Sequence, residues 1–574
     1  MKLRPAAARA VAGVAAAALL ATVPALAASR PGARPVDVRD LREWLTYIAS
    51  DELQGRAVFG TGIGLAAAYI EDHLRAWGVT PAGDHGSYLQ TVRVVSVKAT
   101  SHNSVTVQLG GERRTFQDGD GIQFPRNVGA KQQRRIDRVE FVGYGVDVPA
   151  LGREDYRGRN VSGAAVVWLG AAGPADVDPS RTRILNNRNR YAVDDKGAAA
   201  VIGAGPVPRA GRGQAAGRAG AGGRAGPAGR NVDFVTTERL DHVLPPSATG
   251  GDAFFEFLFS RAPVKYAELK RLAEAKQPLP SFRLDNVTLT FDVNTDYEPV
   301  RTQLAQNVVA VVEGTDPQLK STYVAFGAHY DHVGYADGEL VKTPDGLRRA
   351  GAPGIVTPGA ENDRIWNGAD DDGSGTVTLM AMARAFAAGP RPKRSLLFVW
   401  HTGEERGRWG SLYFVDHPTV DLDRVVAQLN VDMIGRNRDD KASEANSIYL
   451  VGSDRISTEL DRVAQAANAS LSRPLTLDYE LNDPSDPESV YTRSDHYSYA
   501  SRGIPIIFFT DALHPDYHAN TDEVSKIEFD KMARIGDFIY ATAWRVANLD
   551  HAPVRDRLGP RQITTVGAAS AATR

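Results

Sequence analysis

The chain has 574 residues, 24% of them charged and 43% hydrophobic, with a formal net charge of −2. That balance is globular and carries no excess charge to recruit nucleic acid or another polyanion. Cysteine is absent, which excludes disulfide frameworks, thiol nucleophiles and thiolate-bound metals, so any metal must be held by His, Asp and Glu.

Residues 1–27 pair a basic start (Lys2, Arg4, Arg9) with the apolar run VAGVAAAALLATVPALA, which ends in Ala25-Leu26-Ala27. These are the parts of a signal peptide cleaved after Ala27, and they predict a secreted or periplasmic protein. The run is short for a membrane span and no other stretch is long enough, so no stable span is expected after cleavage. Residues 28–102 open with two helical patterns, VRDLREWLTYIASDELQGR and GLAAAYIEDHLRAWGVTPAG. From 103 to 295 the texture turns to alternating β-type runs such as SVTVQLGG, RVEFVGYGV and GAAVVWLG. Within this β-rich unit, residues 205–230 are Gly, Ala and Arg with almost nothing to bury, and read as a flexible loop. Its five arginines lack the interleaved aromatics of a nucleic-acid-binding segment.

Residues 296–550 change pattern again. Apolar, β-branched runs (NVVAVVEG, STYVAFGAH, SLLFVWHTGEE, VVAQLNVDMIG, SIYLVGS, IPIIFFTD) alternate with helix-like segments. The expected fold is α/β, a mostly parallel central sheet flanked by helices, with the β-rich domain inserted. Residues 551–574 read as a flexible tail.

In such sheets chemistry collects at the carboxyl ends of strands, and the polar residues fall there. STYVAFGA runs into His329-Tyr330-Asp331-His332, SLLFVW into His401-Thr402-Gly403-Glu404-Glu405, VVAQLNV into Asp432, and IPIIFFTD leads to His514 and Tyr517-His518. The triplet Asp370-Asp371-Asp372 precedes the helix at Ser374. Any one of these alone reads as a turn or a solvated helix start. Together they place imidazoles and carboxylates on one rim with no lysine cluster to neutralise them, which bound divalent cations explain.

The ordered motifs AHYDHVG, NGADDDGSG, HTGEERG, NVDMIG, RSDHYSY and DYHANTDEVSKI resemble peptidase family M28, the co-catalytic zinc peptidases, mainly aminopeptidases. The insertion resembles the protease-associated (PA) domain often found within that family. The resemblance implies a zinc-exopeptidase-like domain in 296–550, with 28–102 as its N-terminal part, and two zinc ions per chain. It implies His329 and Asp432 on the first metal, Glu405 and His518 on the second, and Asp371 bridging both, with a cis peptide after Asp371. Asp331 would orient His329, Glu404 would be the general base, and Tyr517 a candidate donor to the oxyanion, though a packing role fits Tyr517 equally well. Arg493 is read as a structural ion pair or a substrate contact; His332, His496 and His514 are read as structural. The implied activity is removal of N-terminal residues from peptides. Alternatives left open are a single-zinc glutaminyl-peptide cyclotransferase, a non-catalytic receptor-like binding protein and carboxypeptidase specificity. The sequence departs from the family pattern in a long insertion between Gly334 and Trp366.

Overall fold

Helix α1 (Val38–Ile48) starts at Asp37, whose side chain accepts from the Arg39 N–H as an N-cap does. It buries Leu41, Trp44, Leu45 and Ile48, one stripe at helical spacing. Helix α2 (Thr61–Ala76) follows and buries Ile63, Ala66, Ala67, Ile70 and Leu74 in the same way. The computed structural model to which these elements belong describes residues 35–177, 182–205, 233–344 and 346–557. The expected leader at 1–27, all but Gly205 of the expected loop at 205–230, and the tail from 558 onward lie outside the described residues.

A long antiparallel ribbon then links two bodies. Strand β1 (Leu89–Ser101) leads out and β2 (Thr295–Val312) returns, paired from Leu89↔Val308 to Ser101↔Thr295. Between them the chain forms a six-stranded sheet and a four-stranded sheet. These share a core that includes Val105, Phe116, Phe141, Val167, Ile202, Phe255, Phe259, Leu289 and Phe291.

After β2 come β3 (Tyr323–His329), α3 (Gly375–Ala388), β4 (Ser395–His401), β5 (Val425–Val431), β6 (Ser447–Val451), β7 (Ile506–Thr510) and α4 (Phe529–Asn548). The ten-stranded sheet runs Phe234–Thr236, β1, β2, β4, β3, β5, β7, β6, Thr476–Asp478, with Thr80–Pro81 beside β2. Its centre, β4–β3–β5–β7, is parallel, and β2 and β6 join antiparallel on either side. The sheet is therefore mixed around a parallel middle. Unbroken apolar runs report that both faces are covered, which is what the sequence shows; they do not report strand direction.

Period-two alternation divides each central strand between two cores. Val324, Phe326, Leu396, Phe398 and Trp400 face the core closed by α1, α2, α3 and α4, whereas Ala325, Leu397 and Val399 face Phe414, Tyr499 and Ile506. No helix among the described residues is long and apolar enough to cross a membrane.

Arg56 locks the front of this layer to the rim of the sheet. Completely buried, it donates to the carbonyls of Ile48 (2.6 Å), Asn367 (2.7 Å), Gly368 (2.9 Å) and Tyr330 (3.0 Å). It thereby ties the end of α1, the end of β3 and the loop before α3 to one group, while its charge faces the carboxylates of Asp331, Asp372, Asp371 and Asp522. Arg56→Met should cost about 3–5 kcal/mol, since it strips a buried cation from among buried anions. Arg56→Lys should recover only part of this, because an ammonium lacks the fork that reaches all four carbonyls. Equilibrium urea unfolding of the two variants measures both; an unchanged midpoint for Arg56→Met would remove the residue from this role.

Candidate metal centre

The rim is assembled from strand ends. β3 delivers His329, the turn after β4 delivers Glu404 and Glu405, Asp432 follows β5, and the loop after β7 carries His514, Tyr517 and His518. The aspartate triplet arrives from the other side, at the entry to α3.

Within the triplet the three side chains have different work. Asp372 turns back and accepts from the N–H groups of His329 (3.0 Å) and Gly375 (2.9 Å). Asp370 accepts from Gly435 N–H (2.6 Å), and its other oxygen lies 3.2 Å from His514 Nε2. The amides of Asp370 and Asp371 donate to Asp522. Asp371, held by these neighbours, points its carboxylate between imidazoles: Oδ1 lies 3.2 Å from His329 Nε2, and Oδ2 lies 3.1 Å from His518 Nε2. The peptide bond between Asp371 and Asp372 is cis. Two glycines make the loop possible. Gly368 adopts φ +59°, and a Cβ on Gly375 would lie 2.3 Å from both Asp372 Oδ1 and the Val431 carbonyl.

Two sets of ligand-type atoms form around Asp371. His329, Asp371 and Asp432 make one, His332, Asp371 and Glu405 the other, each with its ligand atoms within 4.8 Å of one another. His518 joins the second set, its Nε2 3.0 Å from Glu405 Oε2. His329, Asp371, Glu405, Asp432 and His518 thus lie together. His329 Nδ1 contacts the main-chain carbonyl of Asp331 (3.1 Å) more closely than the Asp331 carboxylate (3.7 Å). Either contact fixes the tautomer that leaves Nε2 facing the carboxylates. The Asp331 carboxylate instead accepts from the Glu404 N–H at 3.1 Å, so it steadies the turn that carries Glu404. Ser494 donates its hydroxyl to Asp432. Tyr517 stacks on His518 with ring centroids 4.0 Å apart, and its hydroxyl accepts from Arg493 Nη2 at 3.1 Å. His496 Nε2 donates to the Tyr491 carbonyl (2.8 Å), away from the centre.

His332 is the residue the sequence leaves out. Completely buried, it sits with Nδ1 2.9 Å from Glu405 Oε1, behind the more exposed His518. An imidazole three positions after another at a strand end carries no mark that separates such a place from a structural one. Asp522 and Ser494 lie inside motifs that the sequence does single out, but their roles depend on which amide or carboxylate the fold brings opposite them.

The donor set fits a divalent cation. Asp371 Oδ2, Glu405 Oε1 and both ring nitrogens of His332 are buried without an aligned hydrogen-bond partner, a costly state unless something else satisfies them. Imidazole nitrogen with carboxylate oxygen is a set that zinc and similar ions accept. The electrostatics agree. Burial opposes charging the imidazoles of His329 and His518, but the facing carboxylates win and hold both well above the ordinary histidine value. Burial likewise opposes ionising Asp371 and Glu405, yet the imidazoles hold Asp371 well below its usual range and Glu405 at about 2. Glu404 is pushed well up by burial, and Asp331 up to about 7 by the same cause.

Residues 307–543 match the model of peptidase family M28, the family that the ordered motifs resemble. A probable leucine aminopeptidase of Arthroderma benhamiae is 30% identical over 211 residues, covering 34% of this chain and 54% of that protein. Aminopeptidase YwaD of Bacillus subtilis is 28% identical over 222 residues, covering 37% of this chain and 45% of that protein. The chain therefore spans about half the length of the curated relatives it matches. A solved structure described as BSAP, a zinc aminopeptidase from Bacillus subtilis, aligns with 92% of this chain and 99% of its own at 16% identity and a TM-score of 0.41.

Cations and protons compete for this centre. Because the facing carboxylates hold His329 and His518 well above the ordinary histidine value, a cation bound among them should expel protons, and affinity should fall as pH drops. Zinc titrations in buffers of different ionisation enthalpy should show at least about one proton released per ion bound, with weaker binding at pH 6 than at pH 8. Binding without proton release would contradict the imidazole–carboxylate arrangement.

Proposed function

We propose that the chain is an exported, zinc-dependent exopeptidase that removes N-terminal residues from peptides. The observation that carries this reading is the shared carboxylate of Asp371, with His329 and Asp432 on one side and Glu405 and His518 on the other. Export rests on the leader pattern at 1–27.

In this reading His329, Asp371 and Asp432 hold one zinc, and Asp371, Glu405 and His518 the second, with His332 backing Glu405. Bound zinc would acidify a water and draw charge from the scissile carbonyl. The chain's own groups supply the rest. Glu404 is lifted in pKa by burial, which suits a base that takes the water's proton and passes it to the departing amine. Its position depends on the Asp331 carboxylate that receives its N–H. Because the Tyr517 hydroxyl accepts from Arg493, its own proton is left to donate toward an oxyanion. Trp400 and Phe398, fully buried on the strand that leads to Glu404, keep water from beneath the site, which strengthens every charge interaction above it. The 103–295 unit is in this reading a PA-like domain inserted into a peptidase domain formed by 28–102 and 296–550.

The two adjacent glutamates separate binding from chemistry. Glu404→Ala should keep both metal equivalents and lose about 10²–10⁴-fold in kcat. Glu405→Ala should lose one equivalent. Metal per chain by atomic emission, alongside hydrolysis of aminoacyl and N-blocked peptides with and without chelator, checks both. Reversed behaviour of the two variants would sink the assignment, and one equivalent in the unmodified chain would favour the cyclotransferase alternative.

A further inference from the structure

The candidate metal centre is bordered by a second feature, joined to it through Arg493. Where the 104–293 unit meets the loop before Arg493 there is a cavity of about 380 Å³, lined by Arg183, Asn186, Asn187, Thr492 and Arg493. Arg183, Asn186 and Asn187 come from the unit held out on the β1–β2 ribbon, and Thr492 and Arg493 from the α/β body. That volume lies within the usual range for small-molecule sites, roughly 300–1,000 Å³. The lining is unlike a packed seam: its described residues are two guanidiniums and three neutral hydrogen-bonding side chains, with no aliphatic or aromatic member among them.

Charge points the same way. Glu488 is the anion that serves both arginines, at 3.0 Å from Arg493 Nη1 and 3.4 Å from Arg183 Nε, and it is itself half exposed. Among the described residues the two guanidiniums share this single ion-pair partner, and the Glu404 carboxylate acts on Arg493 from the side of the centre. Guanidinium forks and carboxamide N–H groups are the donors that suit a second carboxylate. Arg493 also connects the cavity to the reaction, because it donates to Tyr517, whose ring lies on His518. A peptide whose terminal residue occupies the metal centre would therefore extend its next groups past Arg493 toward Arg183.

We propose that this cavity binds a carboxylate of the substrate, so that the enzyme prefers peptides with an acidic side chain near the cleaved bond or a free C-terminus within short reach. The inference rests on the exopeptidase reading for the word substrate, but the binding site itself does not.

The test uses matched short peptides carrying Asp or Glu, Asn or Gln, or Lys at the second and third positions, each with a free or amidated C-terminus. They are compared on the zinc-loaded full chain, Arg183→Gln and Arg183→Glu; Arg183 is half exposed, so both variants should fold. Carboxylate-bearing peptides should show about tenfold lower KM than their amide partners, the size of one hydrogen bond to a charged group. Arg183→Gln should bring that ratio close to one, and Arg183→Glu should turn it toward the Lys peptides, a reversal that a merely structural arginine would not produce. An advantage that survives C-terminal amidation assigns the site to an acidic side chain; one that vanishes assigns it to the terminal carboxylate. Equal KM for acid and amide peptides, or a preference untouched in Arg183→Glu, overturns the proposal. Should no peptide be hydrolysed, the exopeptidase reading fails separately. The same peptide pairs are then compared by calorimetric binding, where a carboxylate preference lost in Arg183→Glu upholds the site and equal binding rejects it.

Discussion

Crowding of carboxylates in a dry place is the constraint from which the rest of the molecule follows. Asp331, Asp370, Asp371, Asp372, Asp432 and Asp522 are all buried at one rim, where unpaired negative charge costs several kcal/mol per group. The fold meets that cost in three ways. Arg56 supplies a fixed cation from behind. Main-chain amides of His329, Gly375, Gly435, Asp370 and Asp371 absorb Asp370, Asp372 and Asp522. What remains, chiefly Asp371, Asp432 and Glu405, is left facing imidazoles, and that residue of unsatisfied charge is the centre.

The parallel middle of the sheet is what makes such crowding possible. Parallel neighbours end at the same edge, so β3, β4, β5 and β7 deposit their following residues side by side. Helix α3 completes the geometry from its N-terminal side. Its first residues abut Asp372 and the end of β5 so closely that glycine is required at 375. Burial of the strands on both faces removes water beneath the rim, so the same packing that stabilises the domain also strengthens the field within the centre.

Much of this was legible because it is local in the chain. A buried strand is a short apolar run, and the polar residue just after it must stand on the rim, so His329, Glu404, Glu405 and Asp432 can be placed there together, while their separate roles come from the resemblance of the ordered motifs. Asp371 needed more, since three adjacent aspartates look alike until the amides of His329 and Gly435 select which two turn away. Arg56 was not legible at all: its partners are carbonyls, which every residue possesses, and two of them lie more than three hundred positions away. His332 was passed over because nothing in the sequence places its ring against Glu405. Strand direction on the two flanks of the central sheet escaped for the reason that apolarity measures coverage. The seam cavity escaped because it arises only when 183–187 and 492–493 are brought face to face.

The ribbon of β1 and β2 sets how the outer unit can behave as a mechanical part. Thirteen and eighteen residues of continuous strand join it to the central sheet, and a paired ribbon resists bending far more than a loose linker of equal length. Its pairing slips at one place, between Pro299 and Arg301, where a ladder hydrogen bond cannot form at the proline. The outer unit is also pinned directly to the α/β body, where Arg190 donates to the Tyr497 hydroxyl and that hydroxyl donates to Asp194. The width of the seam is therefore set from two ends, by the paired ribbon and by these bonds across it.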